Sequence, residues 1–294
     1  MSWYTGLHAK ILFDEPLAKH TTLRVGPLAK IWIEPYEKES LRAILCHAKA
    51  KKIDYLVVGC GSKMLIKKQK VPLAIRLGSP QFTACKVDDI DIIAGSGTKL
   101  AALVNSAYMH GLGGLEFLSG IPATAGGAVM LNAGVGWPER IELGSFVYEV
   151  EVMDKNGKIK VLPQNRLSFS YRSSNLRPYI ILSVRFKLFK KNKENIKLKI
   201  RKFLEYRKKT QELGCFSAGC IFKNVNGISS GRLIDECGLK GRQIGDAVIS
   251  KKHANFIINR GSATANDIVS LMRVMKAAVR KRFKLNLEPE VKII

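Results

Sequence analysis

The sequence predicts an α+β fold, and three observations carry the prediction. Segments with helical and with strand periodicity alternate through the first half of the chain. Asn156-Gly157 stands between two apolar runs as a hairpin turn. A stretch from Gly111 to Gly136, dense in glycine and poor in charge, interrupts the alternation and is unlike an ordinary loop.

In chain order, a helix is expected over 40–51, then a short buried strand over 55–58 that ends in Gly59-Cys60-Gly61-Ser62. A strand over 90–94 and a helix over 98–110, closed by Gly111, come next. Residues 146–153 and 158–162 read as the two arms of the hairpin, and 180–189 as a further strand. Composition shifts near residue 190, where a domain boundary is expected. Beyond it lie a helix over 230–237, strands over 244–249 and 255–259, a long helix over 264–283 and a terminal strand over 290–293.

Composition narrows the function classes. A chain of 294 residues, 46% hydrophobic, buries at least one sizeable core and has room for two or three domains. No apolar run approaches the roughly 20 residues that span a bilayer, and residues 1–10 lack a signal-peptide layout, so a cytoplasmic protein without membrane insertion is expected. Six cysteines are spread singly, without C-x-x-C pairs or nearby histidines, which points to neither a disulfide framework nor a zinc or other metal site. The 49 Lys and Arg against 24 Asp and Glu give a net charge of +25, a bias toward polyanions. The densest basic stretch, 185–209, carries Ile196, Ile200 and Phe203 at helical spacing and reads as an amphipathic helix with a solvated cationic face. No zinc-finger, stacking or recognition-helix signature accompanies it, so a specific nucleic-acid partner is not expected.

Two glycine-bearing segments are candidates for ligand contact. Gly59, Gly61 and Ser62 follow a strand, where backbone can approach an anion closely; a tight turn explains them equally well. The segment from Gly113 to Ala128 sets five glycines and Pro122 among apolar residues, which suits backbone laid against a large flat ligand. Gly120, Ile121, Pro122, Thr124, Gly126 and Gly127 are the candidate contacts, and Asn132, Ala133 and Gly134 extend the same surface. A glycine-rich packing contact between helices is the competing explanation.

Five ordered motifs then carry a resemblance: G-L-E-F-L-S-G-I-P-A-T-A-G-G-A, Y-R-S-S, S-A-G-C-I-F-K-N, K-H-A-N-F-I-I-N and L-E-P-E-V. With P-L-A-K-H-T-T-L-R-V-G at residues 16–26, the chain resembles the UDP-N-acetylenolpyruvoylglucosamine reductases over roughly 16–294. The resemblance implies a two-subdomain FAD-binding module of the vanillyl-alcohol-oxidase/PCMH type and a C-terminal α/β substrate-binding domain. The corresponding spans are 1–77, 78–190 and 191–284, with 285–294 as a final strand bearing a catalytic glutamate. It also implies non-covalent FAD, NADPH as co-substrate, and reduction of UDP-N-acetylglucosamine enolpyruvate to UDP-N-acetylmuramate for peptidoglycan and cell-wall synthesis.

Site residues transfer motif by motif. Arg172, in Y-R-S-S, matches the family's catalytic arginine, a permanent bidentate cation for a carboxylate or enolate. Glu290, in L-E-P-E-V, matches the catalytic glutamate, which if protonated donates a hydrogen bond to a developing enolate. Cys220 occupies the place where the family usually has a serine as proton donor, and a thiol is a competent acid in a reduced compartment. Lys223 and Asn224 follow in the same motif and are expected near substrate. Cys60 and Lys63 are further departures, since the family more often reads G-G-G-S-N-L-L where this chain has G-C-G-S-K-M-L; an effect on FAD affinity is expected. The short interval from Arg172 to Cys220 matches the compact second subtype. Two alternatives compete: an oxidase of the same fold with covalently attached flavin, and a basic nucleic-acid-binding protein. The joint occurrence of Arg172, Cys220 and Glu290 opposes the oxidase, and the absence of a nucleic-acid recognition signature opposes the second. Oligomeric state is left open, with a monomer as the default.

Overall fold

The computed structural model describes residues 3–294; Met1 and Ser2, which begin the expected 1–77 span and the N-terminal stretch 1–10, lie outside the described residues. Helices and mainly antiparallel sheets are mixed, as an α+β chain requires, and the chain divides into two compact units. The first comprises Met1–Glu15, Lys30–Gly59 and Val71–Glu205; the second comprises Pro16–Ala29, Cys60–Lys70 and Tyr206–Ile294.

The first unit is built on two larger sheets. In one, the strands order as Ala9–Pro16, Leu28–Pro35, Lys70–Ile75 and Tyr55–Val57, the last two parallel in register from Tyr55 opposite Leu73 to Val57 opposite Ile75. The helix Lys38–Ala50 buries Leu41, Ile44, Leu45 and Ala48, spaced for one helical face, into the core that this sheet builds with Ile33, Leu73 and Ile75. The other sheet has five strands, in the order Ile159–Pro163, Val147–Asp154, Tyr179–Lys187, Asp91–Gly95 and Cys85–Asp88. All of its pairings are antiparallel. The expected hairpin turns at Gly157 with φ +77°, and the Asp154 carboxylate accepts from the Asn156 and Lys158 amides. The helices Leu100–Met109 and Ala125–Met130 contribute Leu103, Val104, Ala128 and Val129 to this sheet's core, with Phe186 and Val184 from the strand Tyr179–Lys187.

The second unit is a four-stranded antiparallel sheet, ordered Phe216–Cys220, Phe256–Asn259, Ala247–Ile249 and Gln243–Ile244, with the helices Ser230–Glu236 and Ala265–Phe283. The strand expected over 244–249 is two short strands joined by a turn, because Gly245 at φ +53° reverses the chain there. Only Lys292–Ile293 of the expected terminal strand forms a ladder, pairing in parallel with Met64–Leu65. Leu23, Val25 and Leu65 belong to this unit's core, packed with Ile221, Phe222, Ile257, Leu271 and Met275. Burying an aliphatic side chain contributes ~1.5–3 kcal/mol, so these contacts draw segments 16–29 and 60–70 away from their sequence neighbours.

The long helix is delimited by its ends. Thr264 accepts from the Asp267 amide at 3.1 Å while the Asp267 carboxylate accepts from the Thr264 amide at 2.8 Å, a reciprocal capping box. Lys284, at φ 59°, closes the C-terminus in the left-handed conformation. Thr264→Ala is expected to lower the unfolding free energy by about 1 kcal/mol, read from the urea midpoint at unchanged slope.

Candidate active site

The expected site residues fall in both units, and each unit builds its own group. In the first, the glycine-rich segment is stitched onto the turn that follows the strand Asp91–Gly95. The amides of Ala125 and Gly126 donate to the carbonyls of Thr98 and Ser96, both at 2.8 Å, and the Leu100 amide donates to Ala123 at 3.0 Å. Thr124 caps the short helix Ala125–Met130 by accepting from the Gly127 amide at 3.2 Å, and its carbonyl accepts from Ala128. Every first-turn amide is therefore satisfied inside the protein, and this helix start holds no free donor for an anion. Two of the glycines are required by packing. A Cβ at Gly126 would lie 2.7 Å from the Ser96 Cβ, and one at Gly59 would lie 2.8 Å from Thr124 Oγ1. Gly120, at φ +76°, is exposed together with Pro122.

Asn132 is buried with φ +42°, and its side chain is occupied on all sides. Its Nδ2 donates to Glu142 Oε2 and to the Ser170 carbonyl, each at 3.0 Å, while Oδ1 accepts from the Gly144 amide at 2.8 Å. What Asn132 contributes is the position of the loop that includes Ala133 and Gly134. The Gly134 carbonyl in turn accepts from Arg172 Nη2 at 2.9 Å. Arg172 sits at the tip of a two-residue hairpin, with Phe169 opposite Ser174 and Ser170 opposite Ser173. Its φ of 56° is uncommon for a residue with a side chain, and such conformations cluster where function over-determines the backbone. The guanidinium lies 5.1 Å from the centroid of the Tyr171 ring, a cation–π contact that steadies a long side chain.

In the second unit, three residues distant in sequence meet. The segment after Leu287 runs beside the end of the strand Phe216–Cys220: the Lys223 amide donates to Glu288 at 2.9 Å, and the Glu290 amide donates to Ile221 at 2.8 Å. This clamp sets Glu290 beside Cys220. Lys63 completes the group, its Nζ lying 2.7 Å from Glu290 Oε1 and donating at 2.7 Å to the Cys220 carbonyl. The Glu290 side chain is only 8% exposed, so its charge is met by Lys63 rather than by water. Arg207, half-buried on the cationic helix Lys193–Thr210, has its guanidinium pushed below the ordinary range by burial, and negative charge on Cys220 opposes that shift.

The neighbouring motif residues brace this group. Asn255 is buried; its Oδ1 accepts from the Phe222 amide at 2.9 Å, its Nδ2 donates to the Phe222 carbonyl at 2.8 Å, and its own carbonyl accepts from Ile221. His253 packs on Phe256 with centroids 4.5 Å apart, and burial holds its imidazole below the usual range, which favours the neutral ring. Lys223 pairs with Glu288 at 3.4 Å, and Asn224 Oδ1 accepts from the Ser230 amide at 3.2 Å. Gly61, at φ +62°, lies against residues 20–21, where a Cβ would come 2.7 Å from the Thr21 Cα. Sequence reasoning treated Lys63 only as a departure in a cofactor loop and gave Asn255 no role. The K-H-A-N motif was the signal for Asn255; nothing local signalled that Lys63 reaches Glu290.

Residues 211–294 match the family described as UDP-N-acetylenolpyruvoylglucosamine reductase, C-terminal domain, and residues 29–162 match the FAD binding domain. A UDP-N-acetylenolpyruvoylglucosamine reductase of Moorella thermoacetica is 38% identical over 290 residues, covering 98% of this chain and 95% of the relative. The chain belongs to the UDP-N-acetylenolpyruvoylglucosamine reductase family. The relative from Caldanaerobacter subterraneus subsp. tengcongensis is 35% identical over 97% of this chain and 94% of its own length. A crystal structure of the Thermus caldophilus member superposes with a TM-score of 0.81 at 37% identity, over 98% of this chain and 99% of that one. The 6-hydroxy-D-nicotine oxidase of Arthrobacter nicotinovorans shares the fold alone, at a TM-score of 0.50 and 11% identity over 63% of this chain and 43% of that one. The fold is thus the two-subdomain FAD-binding module of the vanillyl-alcohol-oxidase/PCMH type, with an additional C-terminal α/β domain.

The residues present fit FAD. In the first unit the hydroxyls of Ser96, in the turn that receives the glycine-rich segment, and Ser119, within that segment, are buried without a hydrogen-bond partner among the described residues. Such groups cost free energy unless a polar ligand meets them. In the second unit the Thr22 hydroxyl, next to the residues that Gly61 packs against, is in the same condition.

Asn255→Ala strips the Phe222 amide and carbonyl of their partners in a buried place. It is expected to cost roughly 2–4 kcal/mol of stability by urea unfolding.

Proposed function

We propose that this chain catalyses NADPH-dependent, FAD-mediated reduction of UDP-N-acetylglucosamine enolpyruvate to UDP-N-acetylmuramate, a cytoplasmic step of peptidoglycan precursor synthesis. The observation that carries the reading is the backbone clamp that sets Glu290 beside Cys220, with Lys63 bonded to both. The names of the relatives and the FAD binding domain match support the same reaction class. FAD, held by the glycine-rich residues named below, would supply the hydride chemistry that links NADPH to the enolpyruvyl group.

The chain's own residues do the rest. Hydride addition leaves enolate character beside the substrate carboxylate, so the site needs fixed cations and a proton source. Arg172, already oriented by Gly134 and Tyr171, supplies a guanidinium for that carboxylate or enolate. Cys220 gives its thiol proton to the carbon next to the one that received hydride, and the thiolate is reprotonated from solvent. NADPH and one proton are thereby consumed for each lactyl ether formed. Glu290 stands beside the donor, and Lys223 and Asn224 are the proposed substrate contacts. Gly59, Gly61, Ser62, Gly120, Ile121, Pro122, Thr124, Gly126, Gly127, Asn132, Ala133 and Gly134 are the proposed FAD contacts, Asn132 through the loop it braces. The spans 1–77, 78–190, 191–284 and 285–294 remain the proposed assignment of the family's domains.

The first test is anaerobic absorption spectroscopy: flavin bands are expected to bleach with NADPH and return with UDP-N-acetylglucosamine enolpyruvate. Purified protein that neither carries nor takes up FAD removes the reading. Cys220→Ser is expected to keep reoxidation by substrate within roughly tenfold of wild type, because a hydroxyl can serve the same transfer. Cys220→Ala should leave bleaching by NADPH intact and slow reoxidation by roughly 10²- to 10⁴-fold, followed by stopped flow. Equal reoxidation rates for alanine and wild type take Cys220 out of the mechanism.

A further inference from the structure

We propose that Lys63 is a positioning residue for the protonating end of the site: its ammonium fixes the Glu290 side chain in place and ties it to the Cys220 strand end. The inference rests on the roles assigned to Cys220 and Glu290 above, and it gives Lys63 a task other than contacting the cofactor.

The geometry is specific. Both contacts of Lys63 Nζ are 2.7 Å, the short distance of charge-assisted hydrogen bonds, and one goes to a side chain and the other to main chain. Each participant's backbone is anchored as well. The Glu290 amide is held by Ile221, Cys220 is paired opposite Phe256, and the Lys63 carbonyl accepts from the Lys292 amide at 2.9 Å. The ammonium therefore bridges three segments whose backbones are already fixed, instead of joining two mobile surface side chains. A surface ion pair is worth little, but Glu290 is 8% exposed and Lys63 24%, so this pair is shielded from water and removing the cation loosens the hold on Glu290. Glu290 thus orients the lysine's donors beside Cys220.

The test uses full-length, FAD-loaded protein and follows the two half-reactions separately. Lys63→Met is expected to bleach with NADPH at the wild-type rate and to be reoxidised by UDP-N-acetylglucosamine enolpyruvate roughly 10- to 100-fold more slowly. Lys63→Arg, which keeps the charge, is expected to recover most of that loss, and thermal melts report whether either variant is misfolded. The decisive comparison is Lys63→Met in a Glu290→Gln background, where it should cost less than in wild type, because the ion pair is already gone and only the bond to the Cys220 carbonyl remains to be lost. Full additivity of the two substitutions, wild-type reoxidation by Lys63→Met, or a defect confined to FAD affinity each overturns the proposal. Wild-type flavin that substrate does not reoxidise removes the reductase reading first, and this proposal with it.

Discussion

The second unit depends on how the last residues of the chain lie against the strand that ends at Cys220. Main-chain bonds from Lys223 to Glu288 and from Glu290 to Ile221 form a short clamp at an interior place. Leu287 and Val291 on either side of it are buried in the same core as Ile221 and Phe222. Hydrogen bonding alone would not keep so short a segment in place, since each bond adds only about 1 kcal/mol net; the apolar anchors exclude water and make the bonds obligatory. Because the anchors alternate with Glu288 and Glu290, the same register that buries Leu287 and Val291 leads Glu290 to Lys63. Stability and chemistry share one constraint.

A similar economy governs the first unit. Asn132 uses its whole amide to brace one loop, and that loop's Gly134 carbonyl then fixes the Arg172 guanidinium. Arg172 holds a positive φ without being glycine, a cost that the two-residue hairpin and these side-chain contacts oppose. The glycines nearby divide into two kinds. Gly59 and Gly126 are small because protein atoms press on them, while Gly120 is exposed at a turn with positive φ. Packing thus accounts for Gly59 and Gly126, and backbone conformation for Gly120.

The charge excess is reflected in the cationic helix Lys193–Thr210. Ile196 and Phe203 are buried as its periodicity requires, and Arg201 pairs with Glu205 at 2.8 Å along the solvent side. Arg207 lies at its far end, where burial lowers it and Cys220 opposes the shift, so one cation of this otherwise solvated series is drawn into the second unit.

By itself the sequence determined what is local. The helices with one apolar face, the hairpin at Asn156-Gly157, the capped start of the long helix and the motifs bearing Arg172, Cys220 and Glu290 were all legible, because periodicity, turn chemistry and residue type act over a few neighbours. The two strands around Gly245 were read as one, since a short apolar run does not reveal a turn made by a single glycine. Tertiary structure alone decided which distant segments share a core and which charges meet. Leu23, Val25 and Leu65 leave their sequence neighbours for the second unit because that is where their apolar surface is buried. Lys63 meets Glu290 for a related reason: parallel pairing of Met64–Leu65 with Lys292–Ile293 brings together residues more than 200 positions apart, and no local pattern encodes that register.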